Sequence, residues 1–172
     1  MFRNVLVGLD FSSFADDALT EAIERADRGG GRLTILTAMP EVHGWAGGPI
    51  ESHTAARELS AELEREAIAL QRRAVERVPD CLPVATILRR EPPRVALLRE
   101  LADGRYDTLV IGSSGPSRFG LRLTRSLTRR LLKRSPVPIL VVGGDGSAHL
   151  HGPGGRVAWA GGRRPPAPTT TG

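Results

Sequence analysis

The stretch Asn4-Val-Leu-Val-Gly-Leu-Asp10 decides the fold class, because a short apolar run of this kind is typical of a buried strand. Apolar residues then recur at helical spacing over residues 15–26, which predicts an amphipathic helix. Ser13-Phe-Ala-Asp16 fits a capping box at its start, and glycines 29–31 end it. A second apolar run, Arg32–Met39, completes a strand, helix, strand unit. This order indicates a right-handed crossover between parallel strands.

The same alternation continues to residue 142. The sequence predicts a helix over 54–78, a strand over 83–88, a helix over 92–102, a strand over 106–111, a helix over 124–134 and a strand over 136–142. Five strands alternating with four helices specify an α/β fold with an open, doubly wound, five-stranded parallel sheet. Residues 40–53 are predicted to form a long surface loop. In such sheets ligands bind beyond the carboxyl ends of the strands, where the winding reverses.

Length and composition indicate one compact domain, since the 172 residues are 40% hydrophobic and 25% charged. We assign residues 1–143 to this domain. Residues 144–172 are rich in Gly, Pro and Thr, and are predicted to be a disordered tail. His149 and His151 lie in that tail without further ligands nearby in the sequence, so no metal site is predicted.

The charge balance gives only weak support to nucleic-acid binding. The net charge is +5, and all but one of the 24 basic residues are arginine, which looks like a coding bias. Aromatic residues make up only 4%, so stacking platforms for single strands are scarce and nucleic acid is an unlikely partner. No apolar stretch is long enough to cross a bilayer, no secretory signal is recognisable and Cys81 is the single cysteine. We therefore expect a cytoplasmic protein without a membrane partner.

A glycine-rich loop joins the fourth strand to the last helix, with Gly112-Ser-Ser-Gly115 at its start and Ser126 at its end. Glycines allow close backbone approach to an anion, and a helix N-terminus offers free amide donors, so a phosphate would fit there. An ordinary strand-to-helix turn can also contain Gly and Ser. The loop lacks the Gly-Lys-Ser/Thr of a Walker loop, and the first strand lacks the spaced glycines of a dinucleotide site.

With these residues in place, residues 2–142 resemble the universal stress protein family. Its signature is Gly, two residues, Gly, nine residues, Gly, then Ser or Thr. Gly112 and Gly115 match, Arg125 replaces the third glycine, and Ser126 fills the hydroxyl position. The segments Asp10-Phe-Ser-Ser13 and Ser135-Pro-Val-Pro-Ile-Leu-Val-Val142 extend the resemblance.

The resemblance implies a Rossmann-like sheet of order 3-2-1-4-5, a homodimer through the last strand (Val137 to Val142), and, in one branch of the family, ATP binding between the first and fourth strands, with or without Mg²⁺. It implies that Asp10 contacts the ribose or adenine and that the Ala38 backbone lies against adenine. It assigns the phosphates to Gly112, Ser113, Gly115 and Ser126.

Two arginines depart from the family pattern, and two function hypotheses follow. Arg125 either crowds the phosphates or pairs with them, and Arg90 stands where the family often has glycine. The first hypothesis is a universal stress protein that binds ATP or a related adenine nucleotide as a regulatory ligand. The second is a member without nucleotide, its phosphate site closed by Arg125, that acts through dimer and protein contacts. No catalytic residue is predicted, and at most slow, incidental ATP hydrolysis is expected.

Overall fold

The computed structural model describes residues 2–12, 14–42, 50–113, 125–143 and 147–155. Strands and helices alternate along these segments as the sequence predicts. Their bounds are β1 (Asn4–Gly8), α1 (Ala15–Arg28), β2 (Arg32–Ala38), α2 (Ile50–Glu76), β3 (Val84–Arg89), α3 (Pro93–Ala102), β4 (Thr108–Gly112), α4 (Arg125–Arg134), β5 (Ile139–Val142), β6 (Ala148–His151) and a 3₁₀ turn (Pro153–Gly155).

One sheet contains all six strands in the order β3-β2-β1-β4-β5-β6. The five strands β1 to β5 pair in parallel, which confirms the predicted α/β class and the order 3-2-1-4-5. β6 pairs antiparallel with β5. It lies inside the segment predicted to be disordered, and the prediction is therefore wrong for residues 147–155. A composition rich in Gly, Pro and Thr predicts that a segment cannot form its own core. Four residues are nevertheless enough to add a strand to an existing sheet, as β6 does.

Helices cover both faces of the sheet, which is why the inner strands β1, β2 and β4 are continuous, mostly apolar runs. Successive residues of β1 point to opposite faces, so Val5 and Val7 pack with α1 while Leu6 packs with α3. Leu131 of α4 joins Leu6 in the second cluster, and Ala74 of α2 joins the first. The helices α1 and α2 thus lie on one face, and α3 and α4 on the other.

The predicted dimer contact through Val137 to Val142 meets an obstacle in this structure. Only Ile139–Val142 form a strand, and both of its edges are paired, one with β4 and the other with β6. A second copy could pair with β5 only after β6 had left.

Two local predictions are also wrong. α2 begins at Ile50, so residues 50–53 of the predicted loop are helical; residues 43–49 lie outside the described part of the chain. The N-cap of α1 is Phe14, without a side-chain cap bond, and not Ser13 as the capping box requires; Ser13 itself lies outside the described residues. Asp16 accepts a bond of 2.6 Å from Arg77 at the end of α2.

The turn from α1 into β2 is a Schellman motif. The amide of Gly30 donates to Asp27 and that of Gly31 to Ala26, and Gly30 has φ +57°, a conformation that favours glycine. A Cβ on Gly31 would stand 1.9 Å from the carbonyl oxygen of Arg3. The helix therefore turns directly against the start of β1 only because these positions carry no side chain.

Candidate functional site

The sheet offers one crevice of the kind in which α/β proteins bind ligands. β1 pairs with β2 on one side and β4 on the other, with Gly8 opposite Ile111. The chain winds outward from β1 through β2 to β3, then returns to the other side of β1 for β4 and β5. The winding therefore reverses between β1 and β4, and the residues that follow these two strands flank the crevice.

Asp10 follows β1 at this edge. Its side chain is half-buried, and Oδ1 accepts a bond of 3.0 Å from the backbone amide of Ser12 and another from the Ser12 hydroxyl. This Asx turn fixes the orientation of the carboxylate on the loop between β1 and α1. Asp10 could be predicted as a site residue, but the role of Ser12 in orienting its carboxylate could not.

Ala38 ends β2 at the same edge and is buried. The pairing with β3 runs one residue further, since the amide of Met39 donates to the carbonyl of Arg89 over 2.9 Å. Met39 packs with Leu63 and Ala67 of α2 in a third apolar cluster. These contacts put a dry, apolar wall beside the end of β2.

Gly112 is the last residue of β4, and Ser113 follows it. A Cβ on Gly112 would stand 2.9 Å from the carbonyl oxygen of Phe14, so this glycine lets β4 approach the start of α1. The amide of Ser113 donates to the carbonyl of Val142 in β5 over 2.6 Å. That amide is therefore committed to the sheet, which leaves Ser113 its hydroxyl as the group able to meet a ligand.

The remaining predicted site residues lie beyond β4. Gly115 falls in residues 114–124, outside the described ranges. Arg125 is the first helical residue of α4 and Ser126 the second. Because β4 and β5 are parallel, α4 runs back between them, and its first residues face the carboxyl edge of the sheet. The first turn of α4 carries no acidic residue, so the positive end of its dipole is not compensated there.

Arg90, the second departure from the family pattern, is held by α2. Its Nη2 donates to both carboxylate oxygens of Glu64, over 2.6 and 2.8 Å. The bond to Glu64 and its negative charge raise the pKa of the Arg90 guanidinium above the usual arginine value. No local sequence pattern indicates this partner, since Glu64 and Arg90 are 26 positions apart.

A cavity of about 500 Å³ lies at the opposite, amino edge of the sheet and was not predicted. Glu100 of α3 is only 1% exposed there. It accepts bonds of 2.8 Å from Arg89 and 2.8 Å from Tyr106, and Arg105 lies 3.4 Å away. Burial, followed by the bond to Glu100, raises the pKa of Tyr106 above 10.0. These three side chains donate to the Glu100 carboxylate and satisfy it, so this buried hydrogen-bond network stabilises the fold.

Comparisons with known proteins agree with this geometry. A profile described as the universal stress protein family matches residues 1–143. The chain belongs to the universal stress protein family. It is 25% identical over 142 residues to a universal stress protein from Thermus aquaticus, a match that covers 83% of this chain and 99% of that relative.

Solved members of the universal stress protein family have the same fold. The structure of UspA from Lactobacillus plantarum aligns with TM-score 0.61 at 22% identity, covering 81% of this chain and 96% of that one. A universal stress protein solved in complex with cAMP aligns with TM-score 0.52 at 22% identity, covering 82% and 97%. At these identities the likeness concerns the fold alone.

Other kinds of site find no support in the described segments. They contain no group of three or more His, Cys, Asp or Glu side chains placed to hold a metal ion. Within the same segments no helix is both long and apolar enough to span a membrane. Cys81 is exposed and not in a disulfide.

Proposed function

We propose that this universal stress protein binds an adenine nucleotide, ATP foremost, as a regulatory ligand in the crevice between the ends of β1 and β4. The observation that carries the proposal is that β1 and β4 are neighbours where the winding reverses, with Gly112 as the last residue of β4 and Asp10 two residues after β1. The existence of a similarly folded universal stress protein in complex with cAMP supports the choice of an adenine ligand.

The crevice divides into an apolar and a polar part that suit the two ends of a nucleotide. Beside β2, the base would lie with its edge against the Ala38 backbone, and the buried Met39 makes the protein behind that position apolar. The carboxylate of Asp10, already oriented by Ser12, would accept hydrogen bonds from ribose hydroxyls.

The polar part lies toward α4. The Ser113 hydroxyl, the loop that contains Gly115, and the amides at the start of α4 would bind the phosphates, with Ser126 adding a hydroxyl. Because the Ser113 amide is committed to Val142, the phosphates depend on α4 and its preceding loop more than on the end of β4. Mg²⁺, where present, would be bound chiefly by the phosphates of the nucleotide.

The second hypothesis is a universal stress protein of the same fold that binds no nucleotide. It is favoured by one observation: an arginine, Arg125, is the first residue of α4, where the family signature has glycine. In this hypothesis Arg125 closes the phosphate site, and the protein acts through contacts with other proteins. Both hypotheses describe a cytoplasmic, regulatory protein rather than an enzyme.

Isothermal titration of ATP into nucleotide-free protein, with and without Mg²⁺, separates the two. The variants are Asp10→Ala and Arg125→Gly, and Arg90→Gln is the matched control because it removes a cation already held by Glu64. We expect micromolar binding, about 8 kcal/mol, that weakens at least tenfold in Asp10→Ala and stays within about threefold in the control.

Arg125→Gly then tells which part the arginine plays. Weaker binding in this variant means that the guanidinium pairs with the phosphates, as charge-assisted bonds do. A wild type that binds no nucleotide, with binding gained by Arg125→Gly, would reject the first hypothesis and establish the second.

A further inference from the structure

The outer edge of β5 is covered by a strand of the same chain. Four residue pairs join β5 to β6, from Ile139 opposite His151 to Val142 opposite Ala148. The amide of Gly143 donates to the carbonyl of Ser147 over 2.7 Å, which closes the turn between the two strands. β6 is thus a short hairpin arm folded back on the last parallel strand.

The arm is attached at two further places. Ala148 and Leu150 point to the face of α1 and pack against the first apolar cluster, which contains Leu140 and Val142. The 3₁₀ turn that follows β6 packs against α4 on the other face. Edge pairing, a small apolar contact and this turn together hold the arm in place.

The two strands differ in their suitability for a sheet. β5 is Ile-Leu-Val-Val, uncharged and rich in β-branched residues, while β6 is Ala-His-Leu-His. An open edge made of an uncharged β-branched strand is a template for pairing with another chain. The edge of β5 is therefore covered by residues of low β-propensity, although a strand of higher β-propensity could pair with it.

We infer that β6 holds the edge of β5 against a second copy of this chain, and that when β6 leaves, β5 of the second copy takes its place. Two copies of β5 related by a two-fold axis would run antiparallel, which is the direction in which the edge already accepts β6. Neither copy of β5 carries a charge that would oppose the pairing.

The covalent connection decides the competition. A short tether gives the arm an effective concentration in the millimolar range at its own edge. A second copy at micromolar concentration is far more dilute than the tethered arm. The arm therefore occupies the edge, although β5 has the higher β-propensity. The intact chain therefore stays monomeric at micromolar concentration, and weakening the arm converts it to a dimer.

The test begins with the 172-residue chain carrying Leu150→Asp. A carboxylate cannot replace Leu150 against the apolar cluster without a large desolvation cost, so the arm detaches. His149→Ser, on the exposed side of the same strand, is the matched control. By light scattering we expect 18.5 kDa for the wild type and the control, and about twice that mass for Leu150→Asp.

A disulfide lock shows that the edge of β5 is the site of pairing. Val141 and His149 are opposite one another, so Val141→Cys and His149→Cys, in a Cys81→Ser background, can join the arm to β5. With Leu150→Asp also present, the reduced protein is expected to be dimeric and the oxidised protein monomeric. Return to a monomer on oxidation also shows that Leu150→Asp left the domain folded.

Two results would overturn the inference. One is a wild type that is already dimeric at micromolar concentration and unchanged by Leu150→Asp. The other is a Leu150→Asp variant whose β6 amides exchange freely with solvent while the protein stays monomeric. Molecular mass and amide exchange are both measured without ATP. A failure of this inference would therefore leave the proposed nucleotide site untouched, and the reverse also holds.

Discussion

Gly112 at the end of β4 lies so close to Phe14 at the start of α1 that a Cβ on the glycine would stand 2.9 Å from the carbonyl oxygen of Phe14. This contact gives the first glycine of the family signature a packing role besides the proposed ligand role. It also ties the loops after β1 and β4 together, so the two sides of the candidate crevice are fixed to one another.

We expect Gly112→Ala to destabilise the nucleotide-free protein by roughly 1–3 kcal/mol, because the new methyl group meets backbone that must shift. Gly8→Ala is the matched control. A Cβ there would stand 3.3 Å from the side chains of Ile111 and Leu97, which can adjust. Urea denaturation measures both variants, and an equal or smaller loss in Gly112→Ala would show that the contact with Phe14 yields easily.

The hydrogen bond between Tyr106 and the buried Glu100 can be followed through the titration of the Tyr106 phenol. Tyr106 is the one tyrosine of the chain, so the ultraviolet absorbance of tyrosinate reports this phenol alone. We expect a titration midpoint above the ordinary value of about 10, and Glu100→Gln to move it back toward that value. An unchanged midpoint in Glu100→Gln would mean that burial alone raises the pKa of Tyr106.

Alkaline stability should follow the same phenol. Above the ordinary pKa the unfolded chain loses the Tyr106 proton while the folded chain keeps it, so the free energy of unfolding falls as the pH rises. Tyr106→Phe should remove this part of the alkaline loss. At neutral pH we expect Glu100→Gln to cost about 1–3 kcal/mol, measured by urea denaturation against the wild type.

Acid should loosen β6 through His151. Burial, and then the neighbouring His149, lower the pKa of His151 below 6.5. β5 carries no charged residue, and the charged side chains of α4 are all cations, so neither element offers the protonated imidazole a counter-ion. Above about pH 6.5 the imidazole is neutral in both states, and its burial costs nothing extra.

As the pH falls through the pKa of the folded state, the unfolded chain binds the proton more readily and stability is lost. We therefore expect a lower melting temperature at pH ~5 than at pH ~7, in the range where histidine titrates, and a smaller difference in His151→Gln. Equal pH dependence in wild type and variant would contradict this role of His151.

Arg90 should be neutral for ligand binding although it lies beyond β3 near the expected mouth of the site. Its guanidinium is engaged with Glu64 by two bonds, so it is not an unpaired cation that attracts phosphate. We expect Glu64→Gln, which releases Arg90 without removing it, to change the affinity for ATP only at low ionic strength, where unpaired charges act over longer distances. Calorimetry at two salt concentrations measures this, and a tenfold change at physiological salt would contradict it.

Four of the parallel strands, β1, β2, β4 and β5, could be predicted because they are largely buried, and such strands form apolar runs that local sequence alone displays. β6 could not, since Ala148 and Leu150 pack only because β5 and the first apolar cluster already provide a place for them. The contact of Asp16 with Arg77 could not be predicted either, because 61 positions separate the two residues and no local pattern reveals the pairing.

In the candidate site, too, the positions of residues could be predicted from local sequence, but their supporting contacts could not. Asp10, Ala38, Gly112 and Ser113 could be placed because each ends or follows a predictable strand. Their supporting contacts, Ser12 on Asp10 and Phe14 against Gly112, depend on backbone geometry that spacing does not encode. The ligand roles of Asp10, Ala38, Gly112 and Ser113 remain predictions, as do those of Gly115, Arg125 and Ser126.

The turn between α1 and β2 has a consequence for how tolerance to mutation is interpreted in this fold. A side chain at Gly31 would overlap the carbonyl of Arg3, and one at Gly30 would strain the backbone, so a library of variants selected for folding alone should lose nearly every replacement at both positions. These residues lie at the amino edge of the sheet, away from Asp10 and Gly112. Intolerance to replacement therefore marks two distant places in this molecule, and only one of them faces the proposed ligand.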